Sequence, residues 1–156
     1  MHEEIIRKLA QVAELYHRLV LIVAPPSAGK TAALQAVARI SNGKYININL
    51  ELSQRLLELT ERQRALKTPH LLREIVEADV SQLVLLDNLE LLFDASLQQD
   101  PLRLLQGLSR NRTVVAAWNG SIENGRLIYA QPDHPEYRAY PARDLVIVSP
   151  RVLTTA

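Results

Sequence analysis

Apolar residues recur near the start of the chain at Ile5, Leu9, Val12, Tyr16 and Leu19, in steps of four, three, four and three. That spacing predicts a helix with one apolar face over 2–18. The pattern then changes, because LVLIVA at 19–24 is apolar on both alternations, as in a strand covered on both faces. A helix is predicted from about Thr31 to Ile40, ending near Ser41, Asn42 and Gly43, and YININ at 45–49 reads as a second strand. Residues 50–66, LELSQRLLELTERQRAL, have helical character. Thr68-Pro69 then looks like a fresh N-cap with proline at the first helical position, predicting a separate helix over 69–79. SQLVLLD (81–87), TVVAAW (113–118) and DLVIVS (144–149) supply three more strands, with the helical PLRLLQGLSR (101–110) between the first two.

Five short apolar strands separated by helices predict an α/β fold of three layers around a mainly parallel five-stranded sheet. No repeat or linker divides the chain, and 156 residues that are 47% hydrophobic suit one domain over 1–156. The segment 119–143 interrupts the pattern: it is polar and contains Pro132, Pro135 and Pro141. It reads as an irregular excursion with a hairpin formed from 126–130 and 137–140.

Charge and composition narrow the function classes. Eighteen Lys plus Arg against seventeen Asp plus Glu leave a net charge of +1, which gives no broad field toward nucleic acid or a membrane surface. Arg55, Arg62, Arg64 and Lys67 keep a local DNA contact open, although Glu51, Glu58 and Glu61 interrupt them. The absence of cysteine excludes disulfides, thiolate metal sites and thiol nucleophiles. The apolar runs are too short to span a bilayer and MHEEIIRK lacks the pattern of a signal peptide, so the expected location is cytoplasmic. His2, His17, His70 and His134 have no spacing that suggests a metal site or proton relay.

The chemistry concentrates after the first strand. Ala24-Pro25-Pro26-Ser27-Ala28-Gly29-Lys30-Thr31 matches the phosphate-loop pattern with alanine in place of the first glycine. The prolines lack N–H groups, but the donors that would wrap a phosphate come from Ser27, Ala28, Gly29, Lys30 and Thr31, with Ala32 next in the first helical turn. Gly29 permits close backbone approach, Lys30 can reach the β- and γ-phosphates, and Thr31 offers its hydroxyl to Mg²⁺. A proline-rich turn bearing a solvated lysine is the plain alternative.

Such a loop requires a carboxylate on the metal side, and Asp87 ends the buried strand LVLLD. The next residue is Asn88, where many ATPases carry a glutamate that activates water; Glu90, two positions on, is the available substitute. Asn119 ends the next strand, where an amide can meet the γ-phosphate or a lytic water. Arg126, Arg138 and Arg143 lie in or beside the excursion, and Arg138 and Arg143 are the candidates for completing a neighbouring subunit's site.

Ala24 to Thr31, Asp87 with Asn88, and Asn119 together resemble the motifs of the AAA-like branch of P-loop NTPases. That resemblance implies the strand order 5-1-4-3-2, ATP and Mg²⁺ as ligands, and homo-oligomers. With Ala156 following closely on the last strand, no C-terminal helical lid is expected. Residues 85–120, LLDNLELLFDASLQQDPLRLLQGLSRNRTVVAAWNG, more narrowly resemble the small P-loop protein family BrxF of type 3 BREX phage-defence systems. This implies bacterial anti-phage defence beside a methyltransferase, a phosphatase-like protein and a larger ATPase. The leading expectation is an ATPase, weak or dependent on partners, that controls assembly. A non-hydrolysing recruitment module for DNA-handling partners is the alternative. A small nucleotide kinase would need an acceptor-side base, for which Glu51, Glu58 and Asp94 are the offers.

Overall fold

The computed structural model describes residues 1–149. Its central sheet contains β1 (Leu19–Ala24), β2 (Lys44–Asn47), β3 (Leu83–Asp87), β4 (Thr113–Asn119) and, after a small second sheet, β8 (Val146–Val148). The spatial order is β2-β3-β4-β1-β8, with every neighbouring pair parallel. Numbered by chain order among themselves, these strands run 5-1-4-3-2, the order that was expected.

The double alternation of LVLIVA has a direct cause. Leu19, Leu21 and Val23 face a core shared with α3 (Ile48–Leu56), α4 (Glu61–Glu77) and α5 (Pro101–Leu108). Val20 and Ile22 face the opposite core, beneath α1 (His2–Val12) and α2 (Lys30–Ile40). Apolar residues are therefore needed on both sides of the strand, and three layers result. Among the described residues no helix is long and apolar enough to cross a membrane, and β8 is the last element.

Several element boundaries differ from the sequence expectation. The first helix stops at Val12, not near residue 18: Leu15 and Tyr16 are exposed, and the Arg110 guanidinium stacks over the Tyr16 ring at 4.5 Å. YININ is a strand only to Asn47, whose side chain caps α3 by accepting from Leu50 N–H at 3.1 Å. The helix predicted over 50–66 is broken before Thr60, which opens α4 with a reciprocal capping box involving Gln63.

Thr68-Pro69 is no helix start, because α4 continues through it. Proline removes the N–H that would satisfy the carbonyl of Ala65. The Gln99 side-chain amide supplies that donor instead, at 2.8 Å, while Thr68 donates its hydroxyl to Arg64 O at 2.7 Å.

The excursion forms a three-stranded antiparallel sheet of β5 (Ser121–Glu123), β6 (Arg126–Tyr129) and β7 (Arg138–Pro141). The β6–β7 pair corresponds to the expected hairpin; β5 is additional. Asn124 and Gly125, both at positive φ, make the two-residue turn from β5 to β6, a pairing that matches the right-handed strand twist.

Gly120 joins this sheet to β4 at a point of close approach. A Cβ there would lie 2.0 Å from the Ile128 carbonyl oxygen, so backbone would have to move. Gly120→Ala is expected to cost about 3 kcal/mol of stability by overpacking, measured by denaturant unfolding. A loss below about 0.5 kcal/mol would mean that the two sheets separate easily.

Candidate functional site: a phosphate-type loop at the carboxyl edge of the sheet

Parallel register brings the chemistry together. Ala24 lies opposite Asn119 and Asn47 opposite Asp87, so the ends of β1, β2, β3 and β4 share one edge of the sheet. In open α/β sheets this is the edge at which ligands bind.

The loop leaving β1 is shaped by two residues in the left-handed region, Ser27 at φ 68° and Gly29 at φ 88°. Gly29 immediately precedes α2, and no side-chain cap occupies its place. Space around it is open, so glycine is required by its backbone angle and not by a neighbouring atom. Among the described residues, the backbone N–H groups of Ser27, Ala28, Gly29, Lys30, Thr31 and Ala32 make no hydrogen bond to another backbone or side-chain group. Unsatisfied amides at the positive end of a helix suit an anion. A cavity of about 390 Å³ lies over them, lined by Ser27, Gly29, Lys30, Thr31, Asp87 and Asn119 among others.

Lys30 is 6% exposed, and its ammonium donates to the carbonyls of Ala24, at 2.8 Å, and Pro25. The carbonyls of the loop's first half thus hold the cation whose backbone opens the helix. Burial lowers the Lys30 pKa, opposed by the charges of Asp87 and Glu90.

Beside the loop, Thr31 donates its hydroxyl to Asp87 Oδ2 at 2.6 Å, and Asp87 is 3% exposed. The Tyr45 phenol donates to the same oxygen at 2.6 Å, and Asn88 N–H donates to Oδ1 at 3.0 Å. Burial, then the hydrogen bond to Asp87, pushes the Tyr45 pKa up to about 12, so the phenol remains a neutral donor near pH 7. The hydroxyl and carboxylate are hard oxygen donors that fit Mg²⁺. No group of three or more His, Cys, Asp or Glu with metal-holding geometry occurs among the described residues. A divalent ion here would therefore draw most of its shell from phosphate and water.

Glu90 returns to the same edge because Asn88 adopts φ 56° and turns the chain into a 3₁₀ turn, Glu90–Phe93. Its two carboxylate oxygens are divided between two amides: Oε2 accepts from Asn119 Nδ2, and Oε1 from Asn49 Nδ2 at 3.1 Å. Asn49 is fixed in turn by accepting from Leu91 N–H at 2.9 Å through its Oδ1. Glu90 and Asn119 thus meet directly, with Asp87 and Thr31 beside them along the edge.

The structure does not bring the arginines into this group. Arg138 donates to its own chain at Tyr137 O and Gln99 O, at 3.0 and 3.3 Å, while Arg126 and Arg143 are exposed. None lines the cavity over the phosphate-type loop. The acids weighed for an acceptor base also lie apart from that cavity. Glu51 pairs with Arg55 at 3.0 Å, Asp94 caps a 3₁₀ turn through Ser96 N–H, and Glu58 is exposed.

A second cavity of about 500 Å³ adjoins the first, sharing Pro26 and Asn119 with it. Its walls include Glu90, Gly120, Ile128, Tyr129 and Tyr137, so the small antiparallel sheet forms one side. Tyr129 stacks on Phe93 with ring centroids 3.6 Å apart, and Trp118 meets both rings edge-on.

Sequence reasoning missed Tyr45 and Asn49. Both lie in YININ, whose alternation of polar side chains next to a phosphate-type loop was the available signal.

No family model matches the chain, and no curated protein does. Among solved structures, a DNA replication initiation factor aligns over 74% of this chain and 36% of its own, with 17% identity and a TM-score of 0.47. C. elegans PCH-2 aligns over 76% of this chain and 37% of its own, with 20% identity and a TM-score of 0.46. The chain spans little more than a third of either protein.

Proposed function

We propose that this edge binds a nucleoside triphosphate, ATP, with Mg²⁺, and that the protein hydrolyses it slowly or under the control of a partner. The observation that carries the reading is the run of unengaged amides from Ser27 to Ala32 beside the buried Lys30 and the Thr31–Asp87 pair. In it, the amides and Lys30 bind the phosphate tail, while Thr31 and Asp87 hold the metal. Bound there, Mg²⁺ would neutralise phosphate charge and orient the β- and γ-oxygens.

In this reading Glu90 takes a proton from attacking water and Asn119 orients that water, which their direct hydrogen bond at the sheet edge supports. Hydrolysis forms a bond from water oxygen to the γ-phosphorus, breaks the bridging bond to ADP and delivers the water proton to the carboxylate. With both Glu90 oxygens engaged by Asn49 and Asn119, the carboxylate is restrained. That supports slow turnover by the isolated chain. Glu90→Gln is expected to reduce hydrolysis about 100-fold, the usual scale for losing a general base, with ATP affinity changed less than about twofold. Phosphate release and calorimetric titration measure the two quantities; an unchanged rate removes Glu90 from the mechanism.

The cavity beside Glu90 favours a second reading, phosphoryl transfer to a bound hydroxyl compound with Glu90 as base. Labelled phosphate appearing on a nucleoside, nucleotide or sugar from a panel, and absent with the Lys30→Met variant, distinguishes it from hydrolysis.

The resemblance of 85–120 to BrxF supports a place in bacterial phage defence, as a nucleotide-controlled component that assembles with itself and with methyltransferase, phosphatase-like and ATPase partners. Arg138 and Arg143 would then act only across a subunit boundary. Their absence from the chain's own phosphate cavity is compatible with that role.

A further inference from the structure

We propose that Tyr45 competes with the metal for Asp87, so that the metal enters with the triphosphate and not ahead of it. The inference rests on the nucleotide-binding reading and adds a residue to it.

A carboxylate has about four lone-pair positions. At Asp87 the protein fills three: Thr31 and Tyr45 both donate to Oδ2 at 2.6 Å, and Asn88 N–H donates to Oδ1 at 3.0 Å. Of the three donors, Thr31 belongs to the helix that opens on the phosphate-type loop, and Asn88 is the next residue of the chain. Tyr45 alone comes from a separate strand. The β2–β3 register places it opposite Leu85, two residues before Asp87, and its ring packs against the core beneath α1 and α2.

This arrangement satisfies three of the carboxylate's acceptor positions with neutral protein donors. Mg²⁺ dehydrates reluctantly and approaches a carboxylate largely through its bound waters. Each such water must use the remaining Oδ1 position or displace a protein donor. The phenol therefore raises the Mg²⁺ concentration needed at this side chain until phosphate oxygens contribute to the same shell.

The test is a Mg²⁺ titration of fluorescent N-methylanthraniloyl-ATP binding, starting from chelator, on wild type and Tyr45→Phe. Phenylalanine keeps the ring and its packing but removes the donor. The Mg²⁺ concentration at half-effect is expected to fall about fivefold, the scale of one net hydrogen bond, with metal-free nucleotide binding unchanged. An unchanged or higher half-effect concentration overturns the proposal.

A purely packing role for Tyr45 would not depend on Asp87. The same substitution is therefore made in an Asp87→Asn background, where its effect on the half-point is expected to vanish. Persistence there also overturns the proposal. Failure of wild type to bind the nucleotide at any Mg²⁺ concentration sinks the nucleotide reading, and this inference with it. Normal wild-type binding with no response to Tyr45→Phe sinks this inference alone.

Discussion

Replacing Lys30 with methionine is expected to weaken ATP-Mg²⁺ binding about 100-fold, or roughly 2.8 kcal/mol, while leaving the fold intact. The ammonium is nearly buried and sits between two carbonyl oxygens at the base of the loop. Among the described residues no other Lys or Arg lines the cavity over that loop, so Lys30 is the side-chain cation that cavity offers a phosphate.

The expected effect on stability is small because two contributions oppose each other. Burial lowers the Lys30 pKa, so its charged form costs more in the fold than in the unfolded chain. For a lysine shifted this way the penalty is fully present below the folded pKa and disappears as pH rises through the ordinary value. Methionine removes the penalty near pH 7, but leaves the carbonyls of Ala24 and Pro25 without that donor. A melting temperature within about 4 °C of wild type is expected, the span of roughly 1 kcal/mol at this size. Calorimetric titration and thermal unfolding test both parts. A methionine variant that binds ATP-Mg²⁺ as wild type does would remove the basis of the nucleotide assignment.

Trp118→Ala is expected to destabilise the protein by about 4 kcal/mol and to lower its melting temperature by roughly 12 °C. The side chain is fully buried and meets Phe93, Tyr129 and Tyr140 edge-on, with centroids 5.1, 6.2 and 5.9 Å away. Its indole N–H donates to Ile128 O at 3.1 Å, tying the end of β4 to β6. Alanine leaves both a cavity and a carbonyl without its donor, and the surrounding rings belong to different elements that cannot all collapse into the space.

The site should respond as well, since Asn119 follows Trp118 directly and Glu90 begins the 3₁₀ turn that contains Phe93. Loss of the wedge is expected to lower ATP hydrolysis more than ATP affinity. Trp118→Phe, which keeps a ring but loses the N–H, is expected to cost about 1.5 kcal/mol. A loss under about 1 kcal/mol for alanine would show that the small sheet is held to the central one by other contacts.

The same residues show what could be read in advance. The phosphate-type loop was legible because its signal is contiguous: an apolar strand, a turn, then Gly29, Lys30 and Thr31 opening a helix. Asp87 and Asn119 were legible as strand-end residues once the parallel order was inferred. Trp118 closes the apolar run TVVAAW that marked a buried strand, but nothing in that run signals its part in joining two sheets.

Pro69 misled because its local meaning is a helix start, whereas Gln99 supplies the donor that lets the helix continue. Thr60 and Gln63 carried the actual start signal. The Asn124-Gly125 turn was likewise present in the sequence, but the strand β5 before it has only three residues and little apolar pattern.

The sequence by itself determined the five strands of the central sheet, their parallel sense and the placement of a lysine and a hydroxyl at the opening of α2. These depend on local periodicity and on the chain geometry that follows from it. Only the tertiary structure decided that Tyr45 shares an oxygen of Asp87, that Asn49 and Asn119 divide the carboxylate of Glu90, and that a second cavity opens beside them. Those contacts require strand register and the left-handed turn at Asn88, which carry residues distant in the chain to within hydrogen-bonding reach. No local pattern encodes a distance of that kind.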